Sequence, residues 1–149
     1  EGCCNKDWDL DNLPVCTDYT GYSLIMLTGG EPMLFPQLLI ATIEQIRKQT
    51  DCPIYIYTAD LLHNPFTMLD IVDGLTVTLH EQADVAAWDR FNSMMNYEYR
   101  LTKSLRLNIF QGVEFNYYHH GWKVKDNTAW IKDCPLPTDE VFMRIKELG

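Results

Sequence analysis

The sequence YSLIMLTGGEP, residues 22–32, begins as a continuous apolar run and ends in two glycines followed by Glu-Pro. An uninterrupted apolar run of this length is typical of a strand that is buried on both faces. Adjacent glycines let the backbone turn sharply and come close to a ligand. The segment therefore predicts a buried strand over 22–27 that ends in a turn at Thr28, Gly29 and Gly30.

Downstream of this turn, short apolar runs alternate with helical patterns. Apolar residues recur at helical spacing after Pro36, which suits the first position of a helix. Further strands are predicted at 53–57, 75–79 and 105–110, and further helices from Asn64-Pro65 to a stop at Gly74 and over 84–97. This alternation predicts an α/β fold with a mostly parallel sheet and helical crossovers, either a doubly wound sheet or an incomplete barrel.

The last third of the chain has a less regular pattern. Residues 122–124 and 129–131 flank Asp126-Asn127, which predicts either a hairpin or a strand with a loop. Residues 138–148 predict a closing helix, because Thr138 suits the cap, acidic residues follow in the first turn and Lys146 lies in the last. With no linker or internal repeat, residues 1–149 are expected to form one domain.

Composition narrows the function classes. The 149 residues carry a formal charge of −9, which disfavours nucleic acid as a partner because phosphate binding needs a basic surface. No apolar run is long enough to span a bilayer and no signal peptide precedes the first strand, so a cytoplasmic protein without a membrane partner is expected. Five cysteines at irregular spacing fit neither a disulfide framework nor a zinc ribbon. They are Cys3, Cys4, Cys16, Cys52 and Cys134.

Ligands of parallel α/β folds bind at the carboxyl ends of the strands. The candidate site residues are therefore expected at 28–32, 58–60, 78–81 and 108–111. Glu31 places a carboxylate beside the backbone of the glycine turn, and Pro32 sets the direction in which the chain leaves. A carboxylate next to free carbonyls matches both the charge and the donors of a primary ammonium group. The alternative is a plain turn with a solvated Glu31.

The string Leu27-Thr28-Gly29-Gly30-Glu31-Pro32 resembles the Gly-Gly-Glu-Pro motif of the radical S-adenosylmethionine (radical SAM) superfamily, where it contacts the amino group of the methionine moiety. That family also carries Cys-x3-Cys-x2-Cys, whose thiolates hold a 4Fe-4S cluster with one iron open for S-adenosylmethionine. By this resemblance Cys3 is the third thiolate, and the chain begins inside the motif. Gly2 departs from the family, which often has an aromatic residue there.

The resemblance implies a partial (β/α)6 TIM-like barrel that lacks its first strand. It also implies a 5′-deoxyadenosyl radical that abstracts hydrogen from a small-molecule or protein substrate, with flavodoxin or ferredoxin as electron donor. Family members contact the ribose and carboxylate of S-adenosylmethionine from later strand ends, a role that falls here to Thr58, Asp60, Thr78 and His80. Strand alternation places Thr78 and His80 on the same side.

Two other hypotheses stay open. The chain could be a non-catalytic α/β fragment or degenerate module that binds a partner through its acidic surface. It could also be an α/β transferase that uses Glu31 and Asp60 with a divalent metal. No Cys-x-x-Cys occurs among Cys16, Cys52 and Cys134, so an auxiliary cluster is not expected. The histidines lack metal-ligand spacing, and the pair at 119–120 is expected on a loop surface.

Overall fold

A computed structural model describes residues 9–63, 65–129, 131 and 137–146. The strands in this part of the chain are β1 (Val15–Cys16), β2 (Ile25–Leu27), β3 (Ile54–Thr58), β4 (Gly74–Leu79), β5 (Ser104–Phe110), β6 (Trp122–Thr128) and β7 (Arg144–Ile145). The α-helices are α1 (Pro36–Arg47), α2 (Pro65–Leu69), α3 (Gln82–Ser93) and α4 (Tyr97–Thr102). Short 3₁₀ turns cover Leu10–Asn12 and Pro32–Leu34. Within these residues, no helix has the length and apolarity needed to cross a membrane.

The main sheet has the order β2-β3-β4-β5-β6, and all of its pairings are parallel. Helices occupy the first three crossovers, so the predicted α/β fold with a parallel sheet is confirmed. The strand order follows the chain without the reversal that defines a doubly wound sheet. A separate two-stranded sheet pairs β1 with β7, also in parallel.

One face of the main sheet is apolar and covered by helices. The register places Ile56, Leu75 and Leu105 side by side on three neighbouring strands, and all three are buried. Right-handed crossovers between sequential strands put the helices on the same face. The side chains that pack there from α1, α2 and α3 include Ile43, Ile46, Met68, Leu69, Trp88 and Phe91.

The opposite face is largely polar, and β2, whose segment was predicted to be buried on both faces, is fully buried only at Leu27. β3 and β5 alternate between buried and half-buried residues along their whole length, whereas β4 is buried at all but one position. The register forms two rows across this polar face. The first row is Tyr57, Thr76, Arg106 and Lys123, and the second is Thr78, Asn108 and Lys125.

Tyr55, Gly74 and Arg106 close the polar face at the amino ends of the strands. The Tyr55 ring lies over Gly74, where a Cβ would stand 2.6 Å from the ring carbon Cδ1. The Arg106 guanidinium carbon lies 5.3 Å from the centroid of the same ring. Gly74 therefore begins β4 beneath an aromatic ring, and it does not end α2 as predicted, since α2 ends at Leu69.

Two helix predictions need correction. The single helix expected over 84–97 is two helices, because Asn96 interrupts it and caps α4 by accepting a hydrogen bond from Glu98 N at 2.9 Å. The closing helix expected over 138–148 is wrong for its described part. Arg144–Ile145 is a strand instead, and Arg144 N donates to Pro14 O at 2.9 Å. Residues 147–149 lie outside the described part.

The C-terminal helix was predicted from local capping signals, but a short helix needs a core for its apolar face. Here Phe142 and Met143 line a cavity over the polar face, and β1 supplies backbone partners for β7. The hairpin alternative for 122–131 is also wrong. Trp122–Thr128 forms one parallel strand with an irregularity near Asn127, the non-glycine residue with φ of 50°.

Candidate functional site

A cavity of about 930 Å³ lies against the polar face at the carboxyl ends of the main-sheet strands. Segments 22–24 and 137–145 contribute to its other walls. Its volume falls within the range of small-molecule sites, roughly 300–1,000 Å³. Six of the residues predicted from the sequence line this one cavity, namely Thr28, Gly30, Glu31, Thr58, Thr78 and His80. The expected convergence of the strand ends is therefore present.

The glycine turn after β2 has a backbone that only glycine adopts readily. Gly29 and Gly30 have φ of 89° and 66°, in the left-handed region. A Cβ built on either residue would meet no atom within 4 Å, so the space beside the turn is open. Within the described residues, the carbonyl oxygens of Gly29 and Gly30 accept no hydrogen bond. Gly30 lines the cavity, so the turn brings to its wall a residue whose carbonyl has no described partner.

The carboxylate of Glu31 is less free than the sequence suggested. Its Oε1 accepts hydrogen bonds from Thr58 Oγ1 at 2.5 Å and Met33 N at 3.1 Å, and its Oε2 accepts one from Ala59 N at 2.8 Å. These bonds join the end of β3 to the 3₁₀ turn at Pro32–Leu34. A carboxylate has about four acceptor positions, so roughly one remains for a ligand. Glu31 therefore holds the turn in place as well as charging the site.

Thr58 and Asp60 are engaged within the protein. Thr58 is buried, and its hydroxyl donates to Glu31 while accepting a hydrogen bond from Asp60 N at 2.9 Å. The Asp60 carboxylate accepts from Leu62 N at 2.8 Å and lies 2.5 Å from His63 Nδ1. Asp60 does not line the cavity. Thr58 and Asp60 therefore support the structure beside the glycine turn through these contacts.

Thr78 and His80 lie on the same side of the chain at the end of β4, as strand alternation predicted. Both line the cavity, and Thr78 is half-buried. The His80 ring packs edge-on against Phe110 with centroids 4.7 Å apart. Its backbone N–H donates to Asp84 Oδ2 at 2.8 Å, and Glu81 with Asp84 forms a capping box at the start of α3. The turn that carries His80 is therefore fixed by the helix that follows.

Sequence reasoning missed Lys125 and Tyr57, which also line the cavity. The pattern WKVKDNT in β6 alternates apolar and basic residues at its start, the period of a strand with one polar face. That alternation could have assigned Lys123 and Lys125 to the same face. Because a hairpin and a strand with a loop were the alternatives considered for this segment, the two lysines were not assigned to a face.

Cys16 is a third lining residue that its spacing in the sequence did not single out. It is 8% exposed, and burial raises the pKa of its thiol above the ordinary value. The thiol is therefore protonated at neutral pH and donates to Asp18 O at 3.4 Å. Within the described ranges, no group of three or more His, Cys, Asp or Glu side chains could hold a metal ion. Cys3 lies outside those ranges.

The chain was also compared with models of protein families, with curated proteins and with solved structures. None of the three comparisons gives a match.

Proposed function

We propose that this chain is the core of a radical SAM enzyme and that its cavity binds S-adenosylmethionine. The observation that carries the proposal is the Gly29-Gly30 turn at the end of β2, with its left-handed backbone, its open space and carbonyls that accept no hydrogen bond from the described residues. A sequential parallel sheet is also the strand order of a (β/α) barrel, which supports the partial TIM-like barrel. The cavity-facing side of the sheet would be the barrel interior.

The described residues suit the amino-acid end of the ligand. Carbonyl oxygens of Gly29 and Gly30 accept hydrogen bonds from its ammonium group, and Glu31 supplies the opposite charge through its remaining acceptor position. The hydrogen bonds from Thr58, Met33 and Ala59 prevent the Glu31 side chain from turning away. Across the cavity, Thr78 and His80 offer a hydroxyl and an imidazole to the ribose.

Cys3 is the proposed cluster ligand in the sequence given. When bound, a 4Fe-4S cluster with S-adenosylmethionine would supply one-electron reduction of the sulfonium and hydrogen abstraction from a small-molecule or protein substrate. A flavodoxin or ferredoxin is the proposed electron donor, and the cytoplasm the proposed location. The cover formed by segments 22–24 and 137–145 would limit the access of water to the cavity.

The first test varies the ligand and leaves the protein unchanged. Calorimetric titration of the protein expressed from its full reading frame, under anaerobic conditions, compares S-adenosylmethionine with 5′-methylthioadenosine, which lacks the amino-acid end. Because the glycine turn would bind that end, we expect S-adenosylmethionine to bind at least tenfold more tightly. Equal affinity for the two compounds would contradict the role of the turn.

The second test separates the cluster from the binding pocket. Cys3→Ala should lower the iron content after anaerobic reconstitution, whereas Cys52→Ala, at a half-buried thiol outside the cavity, should not. Thr78→Val should weaken S-adenosylmethionine binding about tenfold and leave iron unchanged, with Thr102→Val on α4 as the matched control. Normal iron in the Cys3→Ala protein would rule out Cys3 as a ligand.

A further inference from the structure

The charged residues at the paired positions of the polar face are opposite in sign to the protein as a whole. The chain carries −9, yet strand alternation and register place only cations among the charged residues at these paired positions. They are Arg106 on β5 with Lys123 and Lys125 on β6. All three lie in the half of the sheet far from the glycine turn, because β5 and β6 are at the opposite edge from β2.

None of these cations forms an ion pair with a described side chain. The ion pairs within the described residues are Arg47 with Asp73 and Asp60 with His63, so Arg106, Lys123 and Lys125 have no carboxylate within 4.0 Å there. The Arg106 guanidinium stacks on the Tyr55 ring with its flat face, so its N–H groups at the edge remain available to donate hydrogen bonds.

Polar groups beside the cations also have no hydrogen-bond partner among the described residues. Within the described part of the chain, the Asn108 amide and the Lys125 ammonium group make no hydrogen bond to protein, and both line the cavity. The hydroxyl of Thr76, next to Arg106 in the register, is buried with 2% of the residue exposed and has no partner. Native proteins pair nearly all buried polar groups, so the buried Thr76 hydroxyl and the half-buried Asn108 amide, both without a described partner, indicate a surface that a ligand completes.

Acidic residues also line the cavity, but none of those described forms an ion pair with Lys125. Asp126 follows Lys125 in β6 and also lines the cavity, but no described carboxylate lies within 4.0 Å of the Lys125 ammonium group. Glu31 is held by three hydrogen bonds at the far edge. Asp139 and Glu140 are exposed in the cover segment, which also contributes Arg144 to the lining. Lys125 therefore lines the β5–β6 half of the cavity as a cation that pairs with none of the described carboxylates.

We propose that this half binds an anionic group, a carboxylate or a phosphate, through the Lys125 ammonium and the Asn108 amide. Asn108 and Lys125 are register partners on adjacent strands, which lie about 4.8 Å apart, so both can reach one anion. The inference that this anion is part of the substrate rests on the proposed function, whereas anion binding itself does not. The substrate class is then a small acid or phosphate ester with its anionic end opposite the glycine turn.

The test uses the whole chain labelled with ¹⁵N and two simple probes at constant ionic strength. Inorganic phosphate and succinate are titrated separately, and the amide signals of residues 108 and 125 are followed by NMR. We expect one probe to shift these signals with saturation, which also tells a phosphate from a carboxylate site. Saturation by neither probe would overturn the proposal.

Variants show whether the binding is specific to this place. Lys125→Gln should raise the dissociation constant of the preferred probe at least tenfold, whereas Lys125→Arg should keep most of the wild-type affinity. Lys48→Gln, which removes the same charge at the end of α1, should change the dissociation constant less than twofold. Equal losses in Lys125→Gln and Lys48→Gln would show only a general charge effect and overturn the proposal.

One further measurement separates this proposal from the proposed function. S-adenosylmethionine affinity should be unchanged in Lys125→Gln, because Lys125 lies at the other edge of the sheet. Loss of anion binding in Lys125→Gln with normal S-adenosylmethionine binding supports both proposals. Anion binding in a protein that does not bind S-adenosylmethionine would leave the anion site standing and refute the radical SAM function.

Discussion

Leu107 and Asn108 are neighbours in β5 and illustrate how differently the two faces of the sheet are built. Leu107 is fully buried and packs with helix side chains, whereas Asn108 is half-buried and faces the cavity. The helix face holds the strands together by burying apolar surface. The cavity face keeps polar groups that no described protein group satisfies, which indicates that this face serves binding more than stability.

The largest expected effect is on the helix face. Leu107→Ala should lower the free energy of unfolding by about 3 kcal/mol, because it leaves a cavity in a closely packed core. Asn108→Ala, one residue away, should change it by about 0.5 kcal/mol or less. Urea unfolding followed by circular dichroism measures both. Comparable losses in the two variants would show that the faces do not differ as described.

A smaller effect is expected at the closed, amino-terminal part of the cavity face. Gly74→Ala would put a methyl group 2.6 Å from Tyr55 Cδ1 and 2.9 Å from Ser104 O, so the ring and the backbone must move. We expect a loss of about 2 kcal/mol in the free energy of unfolding. Tyr55→Ala combined with Gly74→Ala should recover part of this loss. A neutral Gly74→Ala variant would mean that the Tyr55 ring does not lie there.

The smallest expected effect on the free energy of unfolding concerns Asp73, whose charge is paired, in contrast to Lys125, which pairs with no described carboxylate. Asp73 Oδ2 accepts hydrogen bonds from Arg47 Nη2 at 2.6 Å and Ile54 N at 2.9 Å. Burial alone would raise the pKa of Asp73, but these donors outweigh it and hold the pKa below the ordinary value. Because the side chain is 47% exposed, Asp73→Asn should cost only about 1 kcal/mol at pH 7.

The pH dependence of that cost follows from the lowered pKa. The stabilisation by the Asp73 carboxylate is complete above the pKa of an unfolded aspartate, near 3.9, and disappears as the pH falls through the lower folded value. The difference between wild type and Asp73→Asn should therefore shrink between pH 6 and pH 3. Urea midpoints at both values measure it, and a constant difference would contradict the role of the charge.

The elements that the sequence predicted well are those with a strong local signal. The helix from Pro36, the strands of β3, β4 and β5 and the Gly29-Gly30 turn depend on periodicity, proline and glycine, whose effects are local. The common cavity was also predictable, since parallel strands end at one edge. The predicted C-terminal helix failed because pairing of Arg144–Ile145 with β1 involves residues that are distant in the sequence.

For the candidate site, the sequence by itself determined the glycine turn and the grouping of polar residues at the strand ends. Tertiary structure alone decided that Glu31 is bound by Thr58 and Ala59, and that Asp60 stays outside the cavity. It also brought Lys125 to the cavity, because the register of β6 against β5 sets which side chains meet. Periodicity depends on residues that are close together in the sequence, whereas register and hydrogen-bond partners depend on segments that only folding brings together.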